Sequence, residues 1–159
     1  MQSRRYRTGA ENTPMKAKVI NDAPERTIAL VFDAGDEVMS TLQAFATDHN
    51  LMASRLTAIG AFQRATLGFF NWERKEYDRI PVNEQVEVLS LVGDIALDGN
   101  KPKVHAHAVL GRRDGSTLGG HLLEAHVRPT LEVLLIESPA YLRRVHDAKS
   151  GIALIRIDA

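Results

Sequence analysis

A short segment with alternating polar and apolar residues carries two histidines that could do chemistry together. It reads Val104-His105-Ala106-His107-Ala108-Val109-Leu110. Side chains two residues apart in a strand project from the same face, so His105 and His107 are predicted to stand side by side. His121 follows 14 positions after His107, behind Gly119 and Gly120, which allow close backbone approach. Three imidazoles could therefore meet at one place.

Three imidazoles with an open fourth position form the ligand set of many catalytic zinc sites. Imidazole also suits iron, copper and nickel. Histidines that only hydrogen-bond on a half-buried strand would show the same spacing, so the pattern alone leaves both readings open. The remaining histidines, His49, His126 and His146, are interpreted as structural or exposed. His49 falls at a predicted helix end, where a cation interacts favourably with the helix dipole.

The composition limits the class of protein. The chain has 159 residues, enough for one domain with its own core. Hydrophobic residues make up 44% and charged residues 25%, as in ordinary globular proteins. The chain has no cysteine, which leaves His, Asp and Glu as metal ligands and fits a reducing compartment. No apolar run approaches the roughly 20 residues of a membrane helix, and no secretory signal is recognisable, so a cytoplasmic location is predicted.

The charge balance disfavours strong nonspecific binding to DNA. Lys plus Arg is 20 and Asp plus Glu is 20, so the formal net charge is zero and no overall field attracts phosphate backbones. Short basic clusters remain, and they are most simply explained as solvated surface. They are Arg4-Arg5 with Arg7, Arg112-Arg113 and Arg143-Arg144.

The elements that must position the histidines are mostly strands. Residues 1–15 are polar and contain Gly9 and Pro14, which predicts a flexible lead-in, followed by one domain over 16–159. Asp36 is the predicted cap of a first helix that runs to about His49. Its apolar face repeats at helical spacing. The residues of this face are Val38, Leu42, Phe45 and Ala46.

Short segments rich in β-branched and aromatic residues predict an antiparallel sheet. They are Lys16–Ile20, Thr27–Phe32, Ser54–Ile59, Ala65–Asn71, Glu73–Ile80, Gln85–Leu97, Leu122–Val127, Leu131–Glu137 and Ile152–Ile157. A turn over 97–102 leads into the histidine strand. Pro139–Ala148 is predicted to be a second, short helix, because Pro139 stands near its start and Gly151 just after its end. The predicted fold class is α+β, a mainly antiparallel sheet with two packed helices.

Several short strings together identify a family resemblance. In chain order they are Gly35-Asp36-Glu37, Ala58-Ile59-Gly60-Ala61, Glu87-Val88-Leu89-Ser90-Leu91-Val92-Gly93, Pro102, His105-Ala106-His107, Gly119-Gly120-His121-Leu122, Val127 and Thr130-Leu131-Glu132-Val133. With these strings, about four-fifths of the chain, from Arg26 to Ile157, resembles the PPC domain, which is conserved in plants and prokaryotes. The resemblance implies an antiparallel sheet with packed helices, usually assembled as a homotrimer. Prokaryotic members that keep three histidines tend to bind a metal, often zinc, and His105, His107 and His121 match those ligand positions.

The resemblance also implies a function. Plant members carry the domain beyond an AT-hook, a DNA-binding motif built around Arg-Gly-Arg, and bacterial relatives are often labelled DNA-binding proteins for this reason. The present sequence contains no Arg-Gly-Arg. An oligomeric binding or regulatory module is therefore implied, and any contact with DNA would depend on the basic clusters.

A metal-dependent enzyme acting on a small carbonyl or carboxylate metabolite is the alternative function. Acetolactate decarboxylases hold zinc through a similar His-x-His pair and a later His. A zinc ion with three neutral ligands can polarise a carbonyl or lower the pKa of bound water. Glu132 and Glu87 are the candidate acid and base groups. Glu132 could instead hydrogen-bond a ligand histidine, and Glu87 could be an exposed strand residue.

Two further questions stay open at the level of sequence. Arg55 and Arg128 could bind a substrate carboxylate or lie on the surface. The metal could also be structural, with a fourth ligand from a neighbouring subunit closing the site. Whether the chain is an enzyme is therefore not decided by these residues.

Overall fold

A computed structural model describes residues 16–22, 24–139 and 141–156. Within these ranges the chain forms one helix and nine strands that belong to one sheet. In chain order they are β1 Lys16–Asp22, β2 Arg26–Phe32, α1 Val38–Asp48, β3 Ala53–Asn71, β4 Glu76–Val82, β5 Val86–Asp98, β6 Lys101–Gly111, β7 Thr117–Glu137, β8 Arg143–His146 and β9 Ala153–Arg156. The predicted lead-in, residues 1–15, lies outside the described residues. No helix in the described ranges is long and apolar enough to cross a membrane.

The sheet confirms the prediction of a mainly antiparallel fold. Its strand order is β1-β2-β7-β3-β5-β8-β9, with β4 paired to β3 and β6 paired to both β5 and β7. Among the described strands, only β5 and β8 pair in parallel. Because β3 also pairs with both β5 and β7, the strands β3, β5, β6 and β7 close into a ring of neighbours.

Strands β3 and β7 are longer than predicted. They have 19 and 21 residues, and each joins two segments that were predicted as separate strands. The predicted break falls at Gly60 in β3 and before Leu131 in β7. Both strands continue because register shifts absorb the irregularities, one of them between Ala58 and Gly60. A Cβ atom at Gly60 would collide with the carbonyl oxygen of Thr130 on β7. Glycine at this position therefore permits the close crossing of the two strands rather than ending a strand.

Helix α1 forms where the apolar spacing predicts it, with a different cap. The Glu37 carboxylate accepts hydrogen bonds from the backbone N–H groups of Met39 at 3.1 Å and Ser40 at 2.6 Å. Asp36, the predicted cap, instead accepts from the backbone N–H of Asp33 at 2.9 Å. Glu37 is the better cap because its carboxylate satisfies two of the helix's unpaired donors. The buried face is the predicted one: Val38, Leu42, Phe45 and Ala46.

The helix also closes the free edge of the histidine strand. The Gln43 side chain donates to the carbonyl oxygen of Pro102 at 2.7 Å and accepts from the backbone N–H of Val104 at 3.1 Å. These groups lie at the start of β6, before the stretch of β6 that pairs with β7. An amide side chain thus replaces a neighbouring strand there.

The second predicted helix is wrong. Residues 143–146 form strand β8, which pairs in parallel with the end of β5 and antiparallel with β9. The backbone N–H of Leu97 donates to the carbonyl oxygen of Leu142 at 2.8 Å. Pairing with an existing strand, and burial of Arg144 beside it, outweigh the local helix signals. The predicted last strand is confirmed as β9, and its predicted end, Ile157, lies outside the described residues.

Candidate metal centre

Cross-strand pairing brings three histidines together. His105 and His107 lie on β6, and His121 on β7 stands directly opposite His107. The ring centroids are 5.1 Å apart for His105 and His107, 5.0 Å for His105 and His121, and 5.2 Å for His107 and His121. One ring nitrogen of each lies within 4.8 Å of the others. Two nitrogens bound to one tetrahedral zinc ion, each about 2.1 Å from it, lie about 3.4 Å apart, so the rings would move closer together around a bound ion.

Two of the three rings are in the protonation state that a metal requires. Burial, together with the charges of His105, His107 and Lys103, lowers the pKa of His121 from 6.5 to about 4. Burial and the neighbouring His105 also lower the pKa of His107. Both rings are therefore neutral near pH 7, as metal ligands must be.

One nitrogen of the cluster has no partner. His121 Nδ1 is buried and makes no hydrogen bond to any described residue. Buried polar atoms are nearly always satisfied, so such an atom calls for an explanation, and a bound ion is one that its position supports. The donor set therefore fits a divalent metal ion.

An aromatic ring holds His121 from the side. Tyr77 on β4 stacks on His121 with 4.4 Å between ring centroids and 20° between ring planes. Gly68 on β3, which is opposite His121, makes room for this ring, because a Cβ atom there would lie 2.9 Å from Tyr77 Cδ1. Burial raises the pKa of the Tyr77 hydroxyl, so it stays a hydrogen-bond donor at neutral pH.

A carboxylate that the sequence analysis did not name lies behind His105, together with Arg144, which is buried and not the solvated surface residue that was predicted. Asp94 stands opposite His105 on β5, and its Oδ2 is 3.5 Å from His105 Nδ1. Its Oδ1 accepts a hydrogen bond from Arg144 Nη2. Burial alone would raise the pKa of Asp94, but the hydrogen bonds from His105 and Arg144 outweigh burial and hold this pKa below its usual value. Asp94 is therefore ionised, accepts a hydrogen bond from Arg144 and lies 3.5 Å from His105 Nδ1.

The two carboxylates predicted as acid and base groups lie elsewhere on the sheet. Glu132 is exposed on β7 and stands opposite Ile59 on β3. Glu87 is exposed on β5 and stands opposite Gly111, at the far end of β6 from the turn. Neither belongs to the histidine cluster, which contains only His105, His107 and His121 in the described ranges. A catalytic role for either glutamate stays a prediction.

The other candidate residues fall into two groups. Arg55 on β3 is exposed and stands opposite Asp94 on β5, the strand next to the histidine strand β6. Arg128 is exposed on β7. The remaining histidines occupy the structural or exposed positions expected for them. His49 caps the end of α1, and His146 is exposed. His126 Nε2 lies 3.2 Å from Glu124 Oε1. Arg55 is thus the predicted arginine that the fold brings towards the site.

An apolar groove lies beside the cluster on the outward face of the sheet. The groove has a volume of about 490 Å³. Its exposed apolar side chains include Ile59, Leu89, Val92 and Leu134. Val92, which lines the groove, stands opposite His107 on the neighbouring strand. An exposed apolar surface thus lies next to the strand that carries His105 and His107.

The chain matches a known domain. Residues 20–139 match the sequence model of the Plants and Prokaryotes Conserved (PCC) domain, which is the PPC domain that the sequence resembles. Among curated proteins, it is 30% identical over 127 residues to the bifunctional protein GlmU of Synechococcus sp. (strain JA-3-3Ab). The match covers 78% of this chain but 19% of that relative, so the chain spans a small part of the relative's length.

Solved structures share the fold. A PPC protein of Pyrococcus horikoshii is 32% identical with a TM-score of 0.77, covering 82% of this chain and 91% of that chain. A protein of Bacteroides thetaiotaomicron described as a "putative DNA binding protein" is 26% identical with a TM-score of 0.85, covering 92% and 99%. A protein of Archaeoglobus fulgidus described as metal-containing is 30% identical with a TM-score of 0.76, covering 89% and 97%.

Proposed function

We propose a metal-binding function centred on His105, His107 and His121 for this chain, which belongs to the Plants and Prokaryotes Conserved domain family. The observation that carries the proposal is the convergence of three imidazoles, one of which leaves a buried nitrogen without a hydrogen-bond partner among the described residues. The similarity to a metal-containing archaeal protein supports it. Zinc is the favoured metal, because three neutral histidines with an open position are typical of zinc.

The chemistry of the proposed centre follows from its surroundings. A bound divalent ion would supply a Lewis acid that can polarise an oxygen ligand. Asp94 would orient His105, and Tyr77 would hold the His121 ring by stacking. His107 is exposed, so a small molecule can approach the cluster from solvent.

Zinc titration after chelation tests this proposal. The protein is stripped of metal, and zinc binding is measured by calorimetry for the wild type and the His105→Ala, His107→Ala double variant. The exposed His146→Ala variant is the matched control. We expect one zinc ion per chain in the wild type and in the control, and no specific binding in the double variant. Equal binding by the wild type and the double variant would refute the proposal.

The proposed assembly is a homotrimer in which a second copy covers the outward apolar groove. Exposed apolar patches of this kind usually mark interaction sites. Ile59 is 62% exposed, and Leu89, Leu134 and Val92 are 53%, 51% and 50% exposed, on adjoining strands. The family resemblance supports three copies. Light scattering tests the assembly, and a monomer at micromolar concentration would refute it.

A DNA-binding, regulatory role is proposed from the family resemblance alone. The name of the Bacteroides neighbour supports it. The described basic clusters do not favour it: Arg112 pairs with Glu84 at 2.9 Å, and Arg143 donates to the carbonyl oxygen of Gly99 at 2.8 Å. The cluster of Arg4, Arg5 and Arg7 lies outside the described residues. Binding to duplex DNA that weakens steeply as salt rises would support this role, and no binding at low salt would end it.

A metal-dependent enzyme acting on a small carbonyl or carboxylate metabolite is the rival proposal. Its support is the exposed edge of the cluster at His107, where a substrate oxygen could reach a bound ion. Arg55, opposite Asp94, could contact a carboxylate of such a substrate. Turnover of carbonyl acids by the zinc-loaded wild type, and none by the His107→Ala variant, would favour the enzyme. A cytoplasmic location stays a prediction, which the cysteine-free composition fits.

A further inference from the structure

The hairpin of β8 and β9 supplies a charged side chain to the site although it lies beyond the family match at residues 20–139. Arg144 on β8 has only 7% of its side chain exposed. Its Nη2 donates to Asp94 Oδ1, and its Nη1 donates to the carbonyl oxygen of Ala153 at 3.4 Å. The guanidinium is therefore fixed between β5 and β9.

The backbone around Arg144 is fixed as well. Strand β8 pairs with the end of β5 at Leu97 and Asp98, only a few residues from Asp94. On its other side β8 pairs with β9, where Arg144 stands opposite Ile155. Arg144 is thus held by strand pairing on both sides. This placement is unlike that of a solvated surface arginine, which would be free to change rotamer.

The position of Asp94 selects one form of the His105 ring. An ionised carboxylate can only accept hydrogen bonds, so the approach of Asp94 Oδ2 to His105 Nδ1 at 3.5 Å favours the ring form with the proton on Nδ1. The lone pair then lies on Nε2 and is available to a metal. Arg144 occupies Oδ1 of the same carboxylate and thereby determines which oxygen faces His105.

We infer that Arg144 is a positioning residue of the metal centre, which acts through Asp94 to set the orientation and the tautomer of His105. This inference rests on the proposed metal-binding function. Hydrogen-bond partners behind metal-ligating histidines commonly change metal affinity by about 10- to 100-fold when they are mutated. The hairpin beyond the matched region is therefore part of the functional unit.

Two measurements on the full-length chain test the inference. The first is the ¹⁵N chemical shift of both His105 ring nitrogens in the metal-free protein at about pH 8, where histidine is neutral. The second is the zinc dissociation constant. The variants are Arg144→Gln, Asp94→Asn and their combination. Arg143→Gln is the control, because Arg143 lies on the same strand but contacts Gly99 and Asn100 instead.

The expected results distinguish positioning from mere support of the fold. The wild type and the control should carry the His105 proton on Nδ1. Arg144→Gln should lose this preference and bind zinc about 10- to 100-fold more weakly, still at one ion per chain. Asp94→Asn should do the same, and the combined variant should be no worse than Asp94→Asn alone, because Arg144 acts through Asp94.

Two results would overturn the inference: a proton on Nε2 in the wild type, or unchanged ring shifts and zinc affinity in Arg144→Gln. If the wild type binds no zinc, the metal-binding function fails, but the ring shifts of the metal-free variants still decide the role of Arg144. If Arg144→Gln does not fold, Arg144→Met, which keeps a long side chain but has no hydrogen-bond donor, is measured instead, and unchanged ring shifts in that variant would overturn the inference.

Discussion

The two faces of strand β6 differ in what they contribute to the protein. The inward face carries Val104, Ala106, Ala108 and Leu110, none of which is more than 8% exposed. The outward face carries His105 and His107 with the exposed Val109. Alternation with a period of two thus places the buried core residues on one face and the histidines of the proposed metal centre on the other. A substitution should affect stability or binding according to the face it occupies.

The largest predicted effect is on the inward face. Leu110→Ala removes a fully buried side chain and leaves a cavity, so the free energy of unfolding should fall by about 2–5 kcal/mol. Urea unfolding measures this change. Zinc stoichiometry under native conditions should stay at one per chain. Val109→Ala, on the outward face, is the control and should change stability by less than about 1 kcal/mol. Loss of zinc binding in Leu110→Ala at wild-type stability would contradict a purely stabilising role of the inward face.

A charge on the outward face should act on assembly instead of folding. Leu134→Arg places a cation in the apolar groove, where a second copy would bury it, and should raise the dissociation constant of the oligomer at least about tenfold. Sedimentation of a dilution series measures this effect. Leu154→Arg, at an exposed apolar position on β9, should leave the mass unchanged. Identical masses for both variants would show that the groove is not the interface.

The edge contact between α1 and β6 predicts a smaller effect. Gln43→Ala removes the hydrogen bonds to the Pro102 carbonyl and the Val104 N–H and should lower the free energy of unfolding by about 1–2 kcal/mol. Amide hydrogen exchange should accelerate at Val104 more than in β7. Ala44→Ser, an exposed substitution on the same helix, is the control. Uniform acceleration across the sheet would contradict a local role of Gln43.

A further predicted effect is on the pH dependence of stability. The pKa of His121 in the folded chain is about 4, below its ordinary value of 6.5. Protonation therefore favours the unfolded state, and the stability of the metal-free protein should be full above about pH 6.5 and decline as the pH falls towards 4. Melting temperatures across this range should drop by a few degrees more in the wild type than in His121→Gln. Parallel curves for the two proteins would contradict the burial of a neutral His121.

Much of this arrangement can be predicted from local sequence. The alternation of Val104 to Leu110 places the histidines on one face, and the apolar spacing from Val38 places the helix. The position of Asp94 opposite His105 can also be predicted, because the turn at Gly99-Asn100 pairs Asp98 with Lys101. Counting outward from that pair along both strands aligns Asp94 with His105. Turn geometry fixes the register of a hairpin, so this carboxylate carries a local signal.

Nonlocal pairing is what the sequence does not reveal. The segment that carries Arg144 has helix-like Pro and Gly flanks, yet it joins β5 in parallel, 50 residues along the chain from its ion partner Asp94. Tyr77 reaches His121 only because β4 folds onto β3 opposite Gly68. Such contacts depend on strand order across the whole sheet, which propensity and periodicity do not specify.

The most direct test of the metal centre is X-ray diffraction from crystals of the zinc-loaded protein at energies on both sides of the zinc absorption edge. The account predicts one anomalous peak per chain, about 2.1 Å from one nitrogen of each of His105, His107 and His121. A peak at other residues, or none at this cluster with zinc in excess, would contradict it.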